Sequence, residues 1–210
     1  MTRSSVETRA RILCAAEDLV IRDGVSKLTL EAAAHEAGVS KGGVLYHFPS
    51  RAALVSAMVD RYVVSFDGAL REFGAYSGRP GDFTRAYLEA TLAEPPGDQR
   101  EQRLGGALLA GVASDPELLA PLRGRFAAWQ ASLEDDGLPP ELSTVARLAA
   151  DGIWLSDLFG LAPPGAALRA DVGRRLAEMI DEAVRGGARA EAGTRRTAAR
   201  ARRGPREVTA

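Results

Sequence analysis

Thr29-Leu-Glu-Ala-Ala-Ala-His-Glu-Ala-Gly-Val-Ser-Lys-Gly-Gly-Val-Leu-Tyr-His-Phe48 is the stretch that decides the architecture of this chain. Thr29 reads as the N-cap of a short helix from Leu30 to Ala37, and Gly38 as a residue able to take the positive φ that ends it. Ser40 reads as the cap of a second short helix, about Lys41 to His47. Two short helices that cross steeply need small contacts, which Ala33, Ala34 and Ala37 supply. Val39, Val44, Leu45 and Phe48 are expected on the buried side. An Ala-rich hairpin in any helical protein would explain this much.

Lys41-Gly42-Gly43 goes further. Each glycine costs up to about 1 kcal/mol relative to alanine at an interior helical position, so a purely structural helix would not open with two of them. They make sense where the backbone must approach another large surface, and the N-terminus of a helix lying in the DNA major groove is such a place. Ser40, Gly42 and Gly43 then bring the helix start against the duplex. Lys41 suits a base edge or a phosphate, and Tyr46 and His47 have polar tips suited to phosphate oxygens. Thr29 and Arg51 begin their helices and are expected to hold flanking phosphates, helped by the free N–H groups and dipoles of helix N-termini.

Outward from this motif, apolar residues recur at threes and fours and the breaks are marked by Gly and Pro, so the class is all-α with about nine helices. A first helix is expected from about Val6 to the Gly24 stop. After Pro49, with Ser50 as cap, a long helix runs from Arg51 to about Phe73, and five further helices follow, the last from about Ala166 to Arg185. Residues 1–50 form a three-helix DNA-binding unit with its motif at 29–48, residues 51–186 a ligand-binding and dimerisation bundle, and residues 187–210 a basic tail. That tail lacks the apolar residues to offset folding entropy and is expected to be disordered, adding at most nonspecific DNA affinity.

Charge excludes some classes and warns about others. Residues 1–50 carry six positive and six negative charges, residues 51–184 thirteen and twenty, and the last 26 residues eight and two. Attraction to nucleic acid must therefore come from local arrangement. No stretch approaches a membrane span and the start does not resemble a signal peptide, so a cytoplasmic protein without membrane contact is expected. The single cysteine, Cys14, cannot form an internal disulfide and is expected to be a small buried hydrophobe beside Leu13, Ala15 and Ala16. His35 and His47 lie twelve residues apart, a poor basis for zinc, and no metal or cofactor is expected. Gly38-Val-Ser-Lys-Gly42 fits the G-x-S-x-G pattern of an esterase elbow, but no strand precedes Ser40 and no histidine follows His47, so enzymatic chemistry is not expected. A binding protein that docks on no DNA would leave Lys41, the glycine pair and Tyr46 without an obvious use.

Val39-Ser-Lys-Gly-Gly-Val-Leu-Tyr-His-Phe-Pro-Ser-Arg51, followed by Ala-Leu-Val at 53–55, resembles the signature of the TetR family of bacterial transcription regulators across about residues 6–60. The resemblance implies a homodimer, usually a repressor, whose recognition helices read a roughly palindromic double-stranded operator and are released by a small-molecule effector. Carried over by position, it supports Thr29, Lys41, Tyr46, His47 and Arg51 as DNA-contacting residues.

For the effector, Tyr62, Phe66, Phe126, Trp129 and Trp154 are aromatic candidates for an apolar pocket, with Asp157, three residues after Trp154, as a polar or cation-binding group. Each of them equally suits ordinary core packing. For the dimer, Leu148, Gly152 and Leu155 on the penultimate helix and Leu168, Val172, Leu176 and Ile180 on the last are candidates, if two helices from each chain make an intermolecular bundle. They could equally face their own core. Ligand binding is expected to move the long Arg51 helix that links the two units.

Overall fold

The computed structural model describes residues 3–92, 100–112 and 116–202 of the chain. Helix α1 spans Arg3–Asp23 and is followed by a 3₁₀ turn, Val25–Lys27, then α2 (Leu30–Ala37), α3 (Lys41–His47) and α4 (Arg51–Glu72). The bundle continues with α5 (Asp82–Leu92), α6 (Arg100–Val112), α7 (Pro116–Glu134), α8 (Pro140–Phe159) and α9 (Ala166–Arg202). Among the described residues there are nine α-helices and no strand.

Local chemistry sets the boundaries. Thr29, Ser40 and Ser50 each accept a hydrogen bond through the hydroxyl from the backbone N–H three residues on, at 3.0, 3.0 and 3.1 Å, satisfying one of the donors a helix start leaves open. Gly38 sits at φ 63°, and Val39 N–H returns to the Ala34 carbonyl at 3.0 Å, closing α2 with a left-handed cap.

Three apolar clusters hold the helices together. The first joins Ile12, Ala16, Leu19 and Val20 of α1 to Ala33, Val44, Leu54 and Met58, and also takes in Leu104 and Leu108 of α6. The second gathers Leu70, Phe83, Tyr87, Trp129 and Leu133, the third Leu88, Leu138, Ala146, Ala150, Leu176 and Ile180. The N-terminal unit therefore does not close its core within residues 1–50, because α4 and α6 supply part of it.

Two expectations are corrected here. Cys14 is exposed, with the Arg61 guanidinium 3.4 Å from its Sγ. It lies two residues from Ile12, about 200° around the helix, so the periodicity turns it outward although its sequence neighbours are buried. The last helix does not end near Arg185 but continues to Arg202. Residues 185–190, where this extension begins, are exposed throughout. The extension is propagated from a helix already nucleated by Leu176 and Ile180 in a segment rich in Ala and Arg, both good helix formers.

Candidate nucleic-acid interface and effector region

Helix α3 is anchored by Val44 and by Phe48 just after it, both buried, and presents Lys41, Gly42, Leu45 and Tyr46 outward. Tyr46 is 76% exposed, an unusual position for a large ring. Leu45, expected on the buried side, is 40% exposed and joins this outer face instead. In a helix of seven residues the anchors Val44 and Phe48 use up the one inward stripe. A methyl group at Gly42 would meet no atom nearer than the Ser40 hydroxyl, 3.9 Å away, and at Gly43 the same hydroxyl lies at 3.4 Å. Packing inside the protein therefore does not demand either glycine. Ser40 Oγ is occupied in accepting from Gly43 N–H, and helix α2 precedes it where an esterase elbow needs a strand.

Around α3 the charges are already arranged. Lys41 Nζ lies 2.5 Å from Glu31 Oε1 of α2, with both side chains more than half exposed. The hydrogen bond from Lys41 holds the Glu31 carboxyl below the usual glutamate range. Tyr46 sets its ring edge-on to His47 at 4.9 Å. Thr29 is exposed at the start of α2. Arg51 departs from its expected role. Its Nε donates to the Leu28 carbonyl at 2.9 Å and its Nη2 to the Val25 carbonyl at 2.7 Å, so the guanidinium is drawn back into the protein and ties α4 to the 3₁₀ turn.

In the bundle, three of the aromatic candidates come together and the others do not. Phe66 and Phe126 pack on Trp129 at 4.8 and 5.1 Å between ring centroids. Tyr87, which sequence reasoning missed, closes the cluster at 5.4 Å from Phe66. Polar groups are built into it. Trp129 Nε1 donates to Asp67 Oδ1 at 3.0 Å and Arg125 pairs with the same carboxylate. Tyr87 Oη donates to Asp151 at 2.8 Å, and Arg147 holds the other oxygen of Asp151 at 3.1 Å while lying over the Phe126 ring. Burial first, then the adjacent Asp151 carboxylate, pushes the Tyr87 phenol far above its ordinary range and keeps it a neutral donor. Tyr62 instead faces α6, Trp154 lies outside the cluster, and the Asp157 carboxylate is held by Arg169 of α9. An open depression of about 440 Å³ at the far end, lined by Tyr76, Phe83, Asp135 and Asp136 among others, contains none of the aromatic candidates.

The dimer candidates also divide. Leu148, Gly152, Leu155 and Leu168 lie toward the surface, and Val145 and Phe159 of α8 and Leu161 just after it are exposed as well. Leu176 and Ile180 are buried in the third cluster, and Val172 packs against it. Those three stabilise their own chain. Among the described residues no group of three or more His, Cys, Asp or Glu side chains is placed to hold a metal, and no helix is long and apolar enough to cross a membrane.

A short capped helix pair carried on an all-α bundle, with an exposed basic and aromatic face on the second helix, is the architecture of a helix-turn-helix regulator. Comparison with known proteins gives the same class. Residues 12–58 match the family model described as bacterial regulatory proteins, tetR family, and residues 81–181 match the tetracyclin repressor-like C-terminal domain. The chain is 44% identical over 54 residues to the HTH-type transcriptional regulator TtgR of Pseudomonas putida, a match that covers 26% of each protein. A TetR-family transcriptional regulator of Rhodococcus sp. superposes with a TM-score of 0.67 at 23% identity, covering 85% of this chain and 99% of that one. A TetR-family member from Streptomyces coelicolor A3 superposes at 0.65 with 25% identity, over 81% and 98%. This chain belongs to the TetR family of bacterial transcription regulators, a family of non-enzymatic proteins.

Proposed function

We propose that the chain is a ligand-released repressor that binds a roughly palindromic operator as a homodimer. The observation that carries the DNA contact is the first turn of α3, where Gly42 is exposed and neither Gly42 nor Gly43 is required by packing, beside exposed Lys41 and Tyr46. Thr29, Ser40 and His47 complete the contact, and Arg51 positions it from behind. The exposed apolar stripe of α8, Val145, Leu148, Leu155 and Phe159, supports pairing with a second copy, because a chain in water gains by covering such a surface. The effector is a small molecule taken up where Phe66, Tyr87, Phe126 and Trp129 converge, and it acts by favouring the conformation that does not fit DNA. A coupling of about 1 to 3 kcal/mol weakens operator binding roughly 5- to 150-fold.

Fluorescence anisotropy of the purified protein against duplexes from around its own gene, at two salt concentrations, tests the reading. Tight binding to one duplex, weakened by salt and lost in Lys41→Ala/Tyr46→Ala, is the expected result. Equal weak binding to every duplex, unchanged in that variant, would overturn it.

A further inference from the structure

Helix α6 presents a different face to each of its neighbours. Arg100, Leu104, Leu108 and Gly111 recur at i, i+4, i+8 and i+11, one stripe of a helix, and this stripe meets the N-terminal unit. Leu104 and Leu108 are buried in that unit's core. At one end of the stripe Arg100 donates to Asp18 at 2.6 Å and to Glu17 at 3.2 Å, while Arg61 of α4 holds the same Glu17 oxygen at 2.7 Å. Glu17 is 1% exposed, so its carboxylate has given up water for these two guanidinium groups. At the other end Gly111 lies against Val25, and a Cβ there would fall inside the Val25 side chain. The two remaining faces are also close, with Gly105 against Tyr62 of α4 and Gly106 against Leu158 of α8.

Val25 is also one of the two residues whose carbonyls receive Arg51, the other being Leu28, which directly precedes the N-cap Thr29. A shift of α6 therefore presses on the turn from which α2 starts, through the Val25 side chain, without passing through the length of α4.

We propose that Arg100 and Gly111 are positioning residues for the helix-turn-helix, forming a two-point seat through which α6 itself, and not α4 alone, sets the orientation of α2 and α3. This rests on the DNA-binding reading above. Gly111→Ala crowds Val25 and tilts the unit, and Val25→Gly on the same chain removes all three Val25 atoms that the added methyl group would meet. The contact is steric, so compensation is specific to this pair. Gly106→Ala, which crowds Leu158 of α8 instead, gains nothing from Val25→Gly.

The test uses the full chain and the duplex that the wild type binds most tightly among those from around its own gene. Circular dichroism confirms that each variant is folded at the assay temperature. Gly111→Ala is expected to weaken binding about tenfold or more, within the span of ordinary allosteric coupling, and Val25→Gly/Gly111→Ala to recover most of it. Amide hydrogen exchange supplies a readout that needs no DNA. Protection of α2 and α3 falls in Gly111→Ala and in Arg100→Met, and recovers in the Val25→Gly/Gly111→Ala double variant. Wild-type affinity in a folded Gly111→Ala, unchanged exchange, or a double variant no better than the single one would overturn the seat. A wild type that binds no duplex would sink the DNA-binding reading, and the exchange data would still decide whether α6 seats the unit.

Discussion

Replacing Gly42 by alanine should make the protein more stable and its DNA binding worse. Gly42 is the second residue of α3, its φ lies in the ordinary helical range, and the nearest atom to an added methyl group is 3.9 Å away. The substitution thus meets no strain. A glycine in a helix interior costs up to about 1 kcal/mol relative to alanine, and in the first turn about half of that is a fair expectation. For a chain of this size about 0.5 kcal/mol raises the melting temperature by about 1 to 2 °C. The same methyl group would stand between the helix backbone and the groove, so a loss of about tenfold in affinity, or roughly 1.4 kcal/mol, is expected. Calorimetric melting and anisotropy on one preparation measure both signs. A stabilised variant that binds DNA as well as the wild type would refute the argument, because the glycine would then have no partner inside the protein or outside it. A destabilised variant would show that the helix start is not as open as its geometry indicates.

Glu31→Gln releases Lys41 and removes a negative charge beside the proposed interface, so DNA affinity should rise a few-fold and the salt dependence should steepen by about one counterion, read from binding isotherms at several salt concentrations. Because the Glu31 carboxyl is held below its usual range, the Glu31–Lys41 pairing is complete above that range and is lost only as pH falls through the depressed value. Operator affinity of the wild type across neutral pH should not respond to it. Arg51→Met removes the guanidinium donor from the Leu28 carbonyl and leaves the Val25 carbonyl with the Leu28 N–H alone, and should cost about 2 kcal/mol in urea unfolding, the scale of hydrogen bonds from a charged group. Its salt slope on DNA should match the wild type's, whereas a phosphate-binding arginine would lower that slope by about one. Leu148→Glu/Leu155→Glu should give monomers in sedimentation with the melting of each chain little changed, since both side chains are exposed. A dimer that survives both charges would place the interface elsewhere.

The parts of this architecture that could be read from sequence are those fixed within a few residues. Thr29, Gly38, Ser40 and Ser50 act on backbone groups no more than four positions away, so their chemistry names the helix boundaries directly. Arg51 shows where such reading stops. Its position beside a helix start suits a phosphate, but its partners are 23 and 26 residues away, and nothing local announces two carbonyls turned toward it. The polar groups of the aromatic cluster were hidden for a related reason. Arg147 and Asp151 stand at i and i+4 and read as a surface pair, yet Tyr87 from another helix makes them part of the interior. On α8, Ala146 and Ala150 face inward while Val145 and Leu148 face out, so one helix carries two apolar faces and periodicity alone does not separate core from interface. The glycines of α6 read as weak helix formers, and only the neighbours they accommodate give them a meaning.

Charge and direction together favour the pairing proposed above. The N-terminal unit is neutral overall, and Lys41 begins on Glu31, so each copy brings few phosphate contacts and the electrostatic share of its affinity is small. Ile180 and Val184 of α9 lie against Gly81 and Leu138, level with the end of α4 that is farthest from α3, and the helix continues from there to Arg202. Its arginines therefore start at the opposite end of the bundle from the recognition helix. In the proposed dimer, affinity for one duplex would be gained by doubling the α3 contact, which makes the second site nearly intramolecular once the first is bound. The exposed stripe of α8 is where that second copy would attach, so the loss of DNA binding in Leu148→Glu/Leu155→Glu should far exceed any change in the fold of the single chain.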